Sequence, residues 1–167
     1  RVVALKLIRS HHFAGPAEKQ RFKREMLATA KLDHPNIVPV YETGELNGCP
    51  YLTMKLIRGG TLADLLSQGP LPAEKVVAMI AKVALAVQHA HDRGVLHRDL
   101  KPSNVLIDEQ GEPWLTDFGL ARLFMDGHVE TLEGSQIGTP MYMAPEQAAG
   151  RSNQLGPATD VWALGVL

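Results

Sequence analysis

The chain has 167 residues, 45% of them hydrophobic, with a formal net charge of −1. This is an ordinary soluble globular composition with room for one real core, and it gives no sign of a nucleic-acid or membrane-surface partner. One cysteine, Cys49, excludes an internal disulfide and fits a reducing, cytoplasmic setting; the longest apolar run, Val76 to Val87, is broken by Lys82 and is too short to span a bilayer.

Both ends fall inside predicted elements, so the chain reads as an internal piece of a longer protein. Residues 2–8 are aliphatic around a single lysine, Lys6, and predict a buried strand. Gly15-Pro16 punctuates, and Phe22, Met26 and Ala30 recur every fourth residue from Ala17 to Leu32, the period of an amphipathic helix. Ile37 to Glu42 and Pro50 to Lys55 predict two strands joined by a turn over Gly44 to Gly48. Arg58-Gly59-Gly60 reads as a flexible connector between two subdomains, and Thr61 as the cap of a short helix, Leu62 to Ser67. Pro72 to Arg93 is the best helix of the chain, with proline near its start and Gly94 just past its end. Val105–Asp108 and Pro113–Thr116 predict a hairpin, 117–146 a long irregular segment, and Thr159-Asp160 the opening of a last helix.

Between the long helix and the hairpin lies His97-Arg98-Asp99-Leu100-Lys101-Pro102-Ser103-Asn104, a polar loop set between two apolar elements. A rigid scaffold usually displays its chemistry on such a loop. Asp117-Phe118-Gly119 follows the hairpin. A carboxylate to accept a proton, with an amide and a second carboxylate to hold a hard cation, is what metal-assisted phosphoryl transfer requires.

These motifs, with Val3-Ala4-Leu5-Lys6, Glu25, His34-Pro35-Asn36-Ile37-Val38 and Ala144-Pro145-Glu146, resemble those of eukaryotic-like protein kinases over nearly the whole chain. The resemblance implies an α+β, bilobal kinase fold in truncated form. A small β-rich N-lobe with one helix would span residues 1–57, and a larger, mainly helical C-lobe residues 58–167. It implies transfer of the ATP γ-phosphate to protein serine or threonine hydroxyls with Mg2+. Lys6 would contact the α- and β-phosphates and pair with Glu25. Ala4, Met54, Lys55, Ile57 and Leu106 would border the adenine site, Met54 gating its back; Lys55 stands where the family often has an acidic residue.

By the same resemblance Asp99 would accept or orient the hydroxyl proton and Lys101 would stabilise the transferring phosphoryl group. Asn104 and Asp117 would hold magnesium, and Phe118 would pack beneath the Glu25 helix. Lys101 and Thr139 point to a serine/threonine enzyme. Arg98 would receive a phosphate from the activation segment, 117–146, with Thr131 and Ser135 the candidate acceptors. Asp160 would hold the catalytic-loop backbone. His89, His91 and His97 are close in sequence, but the first two lie on different faces of a helix, and packing is the better reading than zinc.

The family's glycine-rich loop and its last helices would lie outside residues 1–167, so the isolated piece is expected to be poorly stable and weakly active. The wording of the motifs is most like bacterial members, which often carry a membrane helix outside the kinase domain. Autophosphorylation and dimerisation are compatible with that class. The alternatives are a pseudokinase-type binding or scaffolding module, against which all five of Lys6, Glu25, Asp99, Asn104 and Asp117 stand, and a small-molecule phosphotransferase on the same architecture.

Overall fold

Three strands form an antiparallel sheet in the order β1-β3-β2, in a computed structural model that describes residues 1–8, 15–118 and 140–167. They are β1, Val3–Leu7, β2, Val40–Leu46, and β3, Cys49–Lys55. The central strand, β3, alternates cleanly, burying Pro50, Leu52 and Met54 while the residues between them are half-buried. The β2–β3 turn is tighter than expected. Asn47-Gly48 alone makes it, both residues having positive φ (51° and 79°), the conformation that a two-residue hairpin turn demands. Gly44 belongs to the paired strand, opposite Tyr51, whose ring fills the space that a Cβ would need.

β1 departs from the buried strand expected of it. Among the described residues it lies at the sheet edge, turning Val3, Leu5 and Leu7 outward, with Leu5 60% exposed, and only Ala4 and Lys6 toward the interior. An unbroken aliphatic run cannot distinguish an edge strand from a central one. Residues 37–39 also leave the strand assigned to them, which begins only at Val40. Leu115 donates its N–H to the Asn36 carbonyl at 2.8 Å, and Val38 donates to the Leu115 carbonyl at 2.9 Å, so this stretch joins the second half of the chain.

Helix α1, Pro16–Thr29, buries Phe22 and Met26 and closes three residues before the predicted end, where Leu32 N–H turns back to the Thr29 carbonyl. Helix α2, Leu62–Ser67, carries the capping box that Thr61 promised, Asp64 N–H donating to Thr61 Oγ1 and Thr61 N–H to Asp64 Oδ2. Helix α3, Ala73–His91, buries Met79, Val83, Ala86, Val87 and Ala90 on one face. A single 3₁₀ turn, Pro102–Asn104, leads into the hairpin of β4, Val105–Ile107, and β5, Pro113–Leu115. A second 3₁₀ turn, Pro140–Tyr142, precedes α4, Pro145–Ala148; α5, Pro157–Val166, follows.

Two apolar clusters result. One gathers Phe22, Met26, Val38, Leu52 and Met54 between α1 and the sheet; Ile57, Leu106 and Trp114 pack against it. The other joins α3, both hairpin strands, Leu100, Phe118 and Ala163 of α5, and also takes in Leu32 and Ile37. Among the described residues, no helix is long and apolar enough to cross a membrane.

Candidate active site

The polar loop 97–104 is held from three sides. His97 is fully buried; Asp99 N–H lies 3.3 Å from its Nδ1, which leaves Nε2 to donate to the Thr116 carbonyl at 2.9 Å. Burial keeps this imidazole neutral by pushing its pKa below the usual 6.5, despite the opposing pull of Asp160 and Asp99. Its ring centroid stands 4.7 Å from that of Phe118, which is buried in the same cluster. From α5, Asp160 reaches in with both oxygens. Oδ2 accepts from His97 N–H at 2.8 Å and contacts His91 Nε2 at 2.7 Å, while Oδ1 accepts from Arg98 N–H at 2.7 Å.

With its backbone so fixed, the loop presents a compact polar group. Lys101 Nζ lies 2.7 Å from Asp99 Oδ2, and Asn104 Nδ2 donates both to that oxygen, at 2.9 Å, and to the Asp99 carbonyl, at 2.7 Å. Thr116 N–H donates to the Asn104 carbonyl at 3.0 Å, so the residue preceding Asp117 is tied to the amide-bearing end of the loop. Arg98 and Asp117 both adopt φ near 67°, a left-handed conformation unusual away from glycine. Such conformations persist where the surroundings enforce them, and they cluster at functional sites.

Lys6 and Glu25 do not meet as expected. Lys6 Nζ pairs with Asp117 Oδ1 at 2.6 Å, while Glu25 Oε2 lies 3.6 Å from Arg98 Nη1. The physical reason is competition. Two carboxylates and two cations converge here, and sequence spacing sets which groups converge but not how they pair. Asp117 Oδ1 is also shut off from solvent, so the Lys6 ammonium is the partner that compensates its charge. A carboxylate, next to the segment tied to the amide of Asn104, supplies hard oxygen donors of the kind that suit Mg2+.

The residues expected around adenine gather near the same place. Ala4 pairs with Met54 across the sheet, and Ile57 and Leu106 pack against the cluster containing Met54. The Lys55 ammonium sits 3.7 Å above the Trp114 ring, and Trp114 Nε1 donates to Asp108 Oδ2 at 2.9 Å. A cavity opens between α1, the sheet and Thr116–Phe118; it is lined by Met54 but not by Ala4, Ile57 or Leu106. Thr131, Ser135 and Thr139 lie outside the described residues. Among the described residues no group of three potential metal ligands converges. The three histidines separate: His91 meets Asp160, His97 meets Thr116, and His89 faces His34, ring centroids 5.1 Å apart.

Two polar residues have contacts that the sequence did not suggest. Thr159 donates to Glu146 Oε1 at 2.6 Å, which gives that carboxylate a partner within the chain. Gln147 accepts the Ala144 N–H at 3.1 Å and donates to the Arg98 carbonyl at 2.7 Å. A signal existed for Gln147, since Ala144-Pro145-Glu146-Gln147 places proline at the first helical position and glutamine at the third, where it reaches back to the cap.

Comparison with known proteins identifies the family. The family model described as "Protein kinase domain" matches residues 1–167. The chain is 37% identical over 170 residues to the serine/threonine-protein kinase PknB of Mycobacterium leprae, covering 99% of this chain and 27% of that protein. It is 39% identical over 171 residues to the DNA damage-responsive serine/threonine-protein kinase RqkA of Deinococcus radiodurans, covering 100% of this chain and 25% of that one. For PknL of Mycobacterium tuberculosis the figures are 40% over 168 residues, with 100% and 41% covered. The crystal structure of the M. tuberculosis PknI kinase domain superposes with a TM-score of 0.77 at 32% identity, covering 97% of this chain and 60% of that one. The chain thus spans between 25% and 41% of the length of these curated relatives.

Proposed function

The chain belongs to the protein kinase family, and from that premise we propose that it carries the catalytic centre of an ATP-dependent protein serine/threonine kinase. The observation that supports this best is the convergence of Asp99, Lys101 and Asn104 within hydrogen-bonding distance of one another. Asp99 is proposed to accept the proton of the attacking hydroxyl, in the orientation that Asn104 and Lys101 fix. Lys101, already beside Asp99, lies where it can also neutralise charge on the transferring phosphoryl oxygens. Protein kinases need little else, because a loose transition state asks mainly for positioning and charge stabilisation.

ATP and magnesium are the family's general requirements. Asn104 and Asp117 are the residues proposed to hold the metal ion, which when bound shields the phosphate oxygens. Lys6 is proposed for the α- and β-phosphates and Glu25 as its alternative partner, with Ala4, Met54, Lys55, Ile57 and Leu106 around the base. Residues 1–57 and 58–167 are proposed as the two lobes, the cytoplasm as the site of action, and proteins bearing serine or threonine as the acceptors. Arg98 is proposed as the phosphate receptor for Thr131 or Ser135 after autophosphorylation; in this structure its guanidinium lies against Glu25 instead.

The test is a radiolabelled ATP assay on the full-length protein beside an Asp117→Ala variant. The expected result is label on serine or threonine with the wild type and loss of at least about 100-fold in kcat with the variant. Equal incorporation by both proteins, or label confined to a small-molecule acceptor, would overturn the reading.

A further inference from the structure

Gln147 is 8% exposed, lies at the start of α4, and spends both ends of its amide on backbone. Oε1 accepts the Ala144 N–H and so caps its own helix; Nε2 crosses to the Arg98 carbonyl, 49 residues away in sequence, at 2.7 Å. That carbonyl belongs to the peptide unit joining Arg98 to Asp99. The N–H of the same unit points to His97 Nδ1, and the peptide units before it give their N–H groups to Asp160. The left-handed φ of 67° at Arg98 is therefore enforced from both sides, from α5 through Asp160 and from α4 through Gln147.

We propose that Gln147 is a positioning residue for Asp99, and that it makes the orientation of that carboxylate depend on the turn at 144–148. The argument rests on the reading of Asp99 given above. A peptide plane can rotate at little cost when only one of its two polar groups is held. Here both are held, so the direction in which Asp99 leaves the backbone is set by two contacts rather than one. Of the two, only the one from Gln147 arises outside the catalytic loop. It joins the loop to the segment that carries the Ala-Pro-Glu triplet, so a shift of that segment by a few tenths of an ångström acts directly on the Asp99 peptide. Misplacement of a reacting group on this scale costs rate rather than binding.

Two substitutions in the full-length protein separate this from a role in holding the fold alone. Gln147→Met keeps the volume and loses both hydrogen bonds. Gln147→Glu keeps an acceptor for the Ala144 N–H, but when ionised has nothing to donate to Arg98. Both should lower kcat by about 10- to 100-fold, with the KM for ATP changed less than about threefold. The loss in Gln147→Glu should shrink as pH is lowered from 8 to 6, because a buried carboxyl protonates early and its O–H can replace the lost N–H donor. The loss in Gln147→Met should not change with pH relative to wild type, and a defect of the fold alone would likewise not follow the carboxyl's titration. A kcat for Gln147→Met within about twofold of wild type would overturn the inference, as would a parallel loss of nucleotide affinity in both variants. Asp99→Asn serves as the control on the underlying reading. If it is inactive while the Gln147 variants are not, only the present inference fails; if it turns over normally, the assignment of Asp99 itself is wrong.

Discussion

Asp160 concentrates more structural consequence in one side chain than any other residue of the loop's surroundings. It is 1% exposed, and its carboxylate receives two adjacent backbone N–H groups and the ring of His91. A buried carboxylate is tolerable only when its lone pairs are used, and here each oxygen has a donor. Removing the acceptor does not simply delete three bonds. It leaves two buried N–H groups of the catalytic loop with no partner, and that is the larger cost. Asp160→Asn is the sharpest test, because it preserves volume while turning one of the two acceptors into a donor aimed at a donor. The variant of the full-length protein is expected to lose about 2–4 kcal/mol of stability. The proposed kinase activity should fall with it, since Arg98 would lose the support from α5 that helps hold its φ of 67°. Chemical unfolding of wild type and variant in parallel measures the first, and an unchanged unfolding midpoint would contradict it.

At the scale of elements, the connector Arg58-Gly59-Gly60 shows how composition can be read correctly and mechanics wrongly. Two consecutive glycines suggest a loose joint. In the structure they are a pinned crossing. Gly59 has φ 126° and Gly60 φ 103°, Ile107 donates its N–H to the Gly60 carbonyl at 2.9 Å, and a Cβ on Gly59 would run into the Ile107 carbonyl. The glycines serve close approach and left-handed backbone, not freedom. Gly59→Ala is therefore expected to destabilise by about 1–3 kcal/mol, where a flexible linker would be stabilised slightly or left unchanged. A melting temperature for the variant equal to or above that of wild type would restore the flexible reading. The elements that were legible share a physical cause. α2 has a complete capping box, α3 a proline, a strong apolar period and Gly94, and the hairpin 105–115 a glycine at its turn, all of them local signals. Those misread depend on distant partners. That β1 turns Val3, Leu5 and Leu7 outward follows from how it pairs with β3, and that residues 36–38 join β5 follows from Leu115, some eighty residues away. Likewise the loop residues Asp99, Lys101 and Asn104 could be singled out by the resemblance of 97–104 to the family's motif. The exchange of partners among Lys6, Glu25, Arg98 and Asp117 could not, because a charge pattern in sequence does not rank competing ion pairs.

Across the whole molecule, two apolar clusters are joined by polar contacts that mostly pass through the candidate site. Lys6 of β1 meets Asp117, Glu25 of α1 meets Arg98, and Asn36 Nδ2 donates to the Pro113 carbonyl at 2.8 Å. The histidines along this junction, His97 buried and His34 partly exposed, make its stability depend on pH, and the sign can be worked out. His97 is held neutral by burial, its pKa below 6.5, and His34 is lowered in the same direction by burial and by His89. In the unfolded chain each would take up a proton near pH 6.5. The folded state resists that proton, so its stability is complete above about pH 6.5 and falls as pH drops from there toward the lower folded values. His97, fully buried, can contribute up to about 1.4 kcal/mol per pH unit over that interval. The carboxylates of Asp64 and Glu146, held below 3.8 and 4.5 by hydrogen bonds to Thr61 and Thr159, lose their contribution only at more acidic pH, so the two effects occupy separate windows. Unfolding of the full-length protein at pH 7.5, 6.5 and 5.5 should therefore give a stability that declines toward the lowest value. His97→Gln, less stable overall, should decline less steeply because it has one fewer proton to exclude. A wild-type stability that is flat from pH 7.5 to 5.5, or a variant with an equal slope, would mean that His97 is protonated in the folded chain. The bond from Nε2 to the Thr116 carbonyl would survive that protonation, but the approach of Asp99 N–H to Nδ1 would not, and the catalytic loop would need another support.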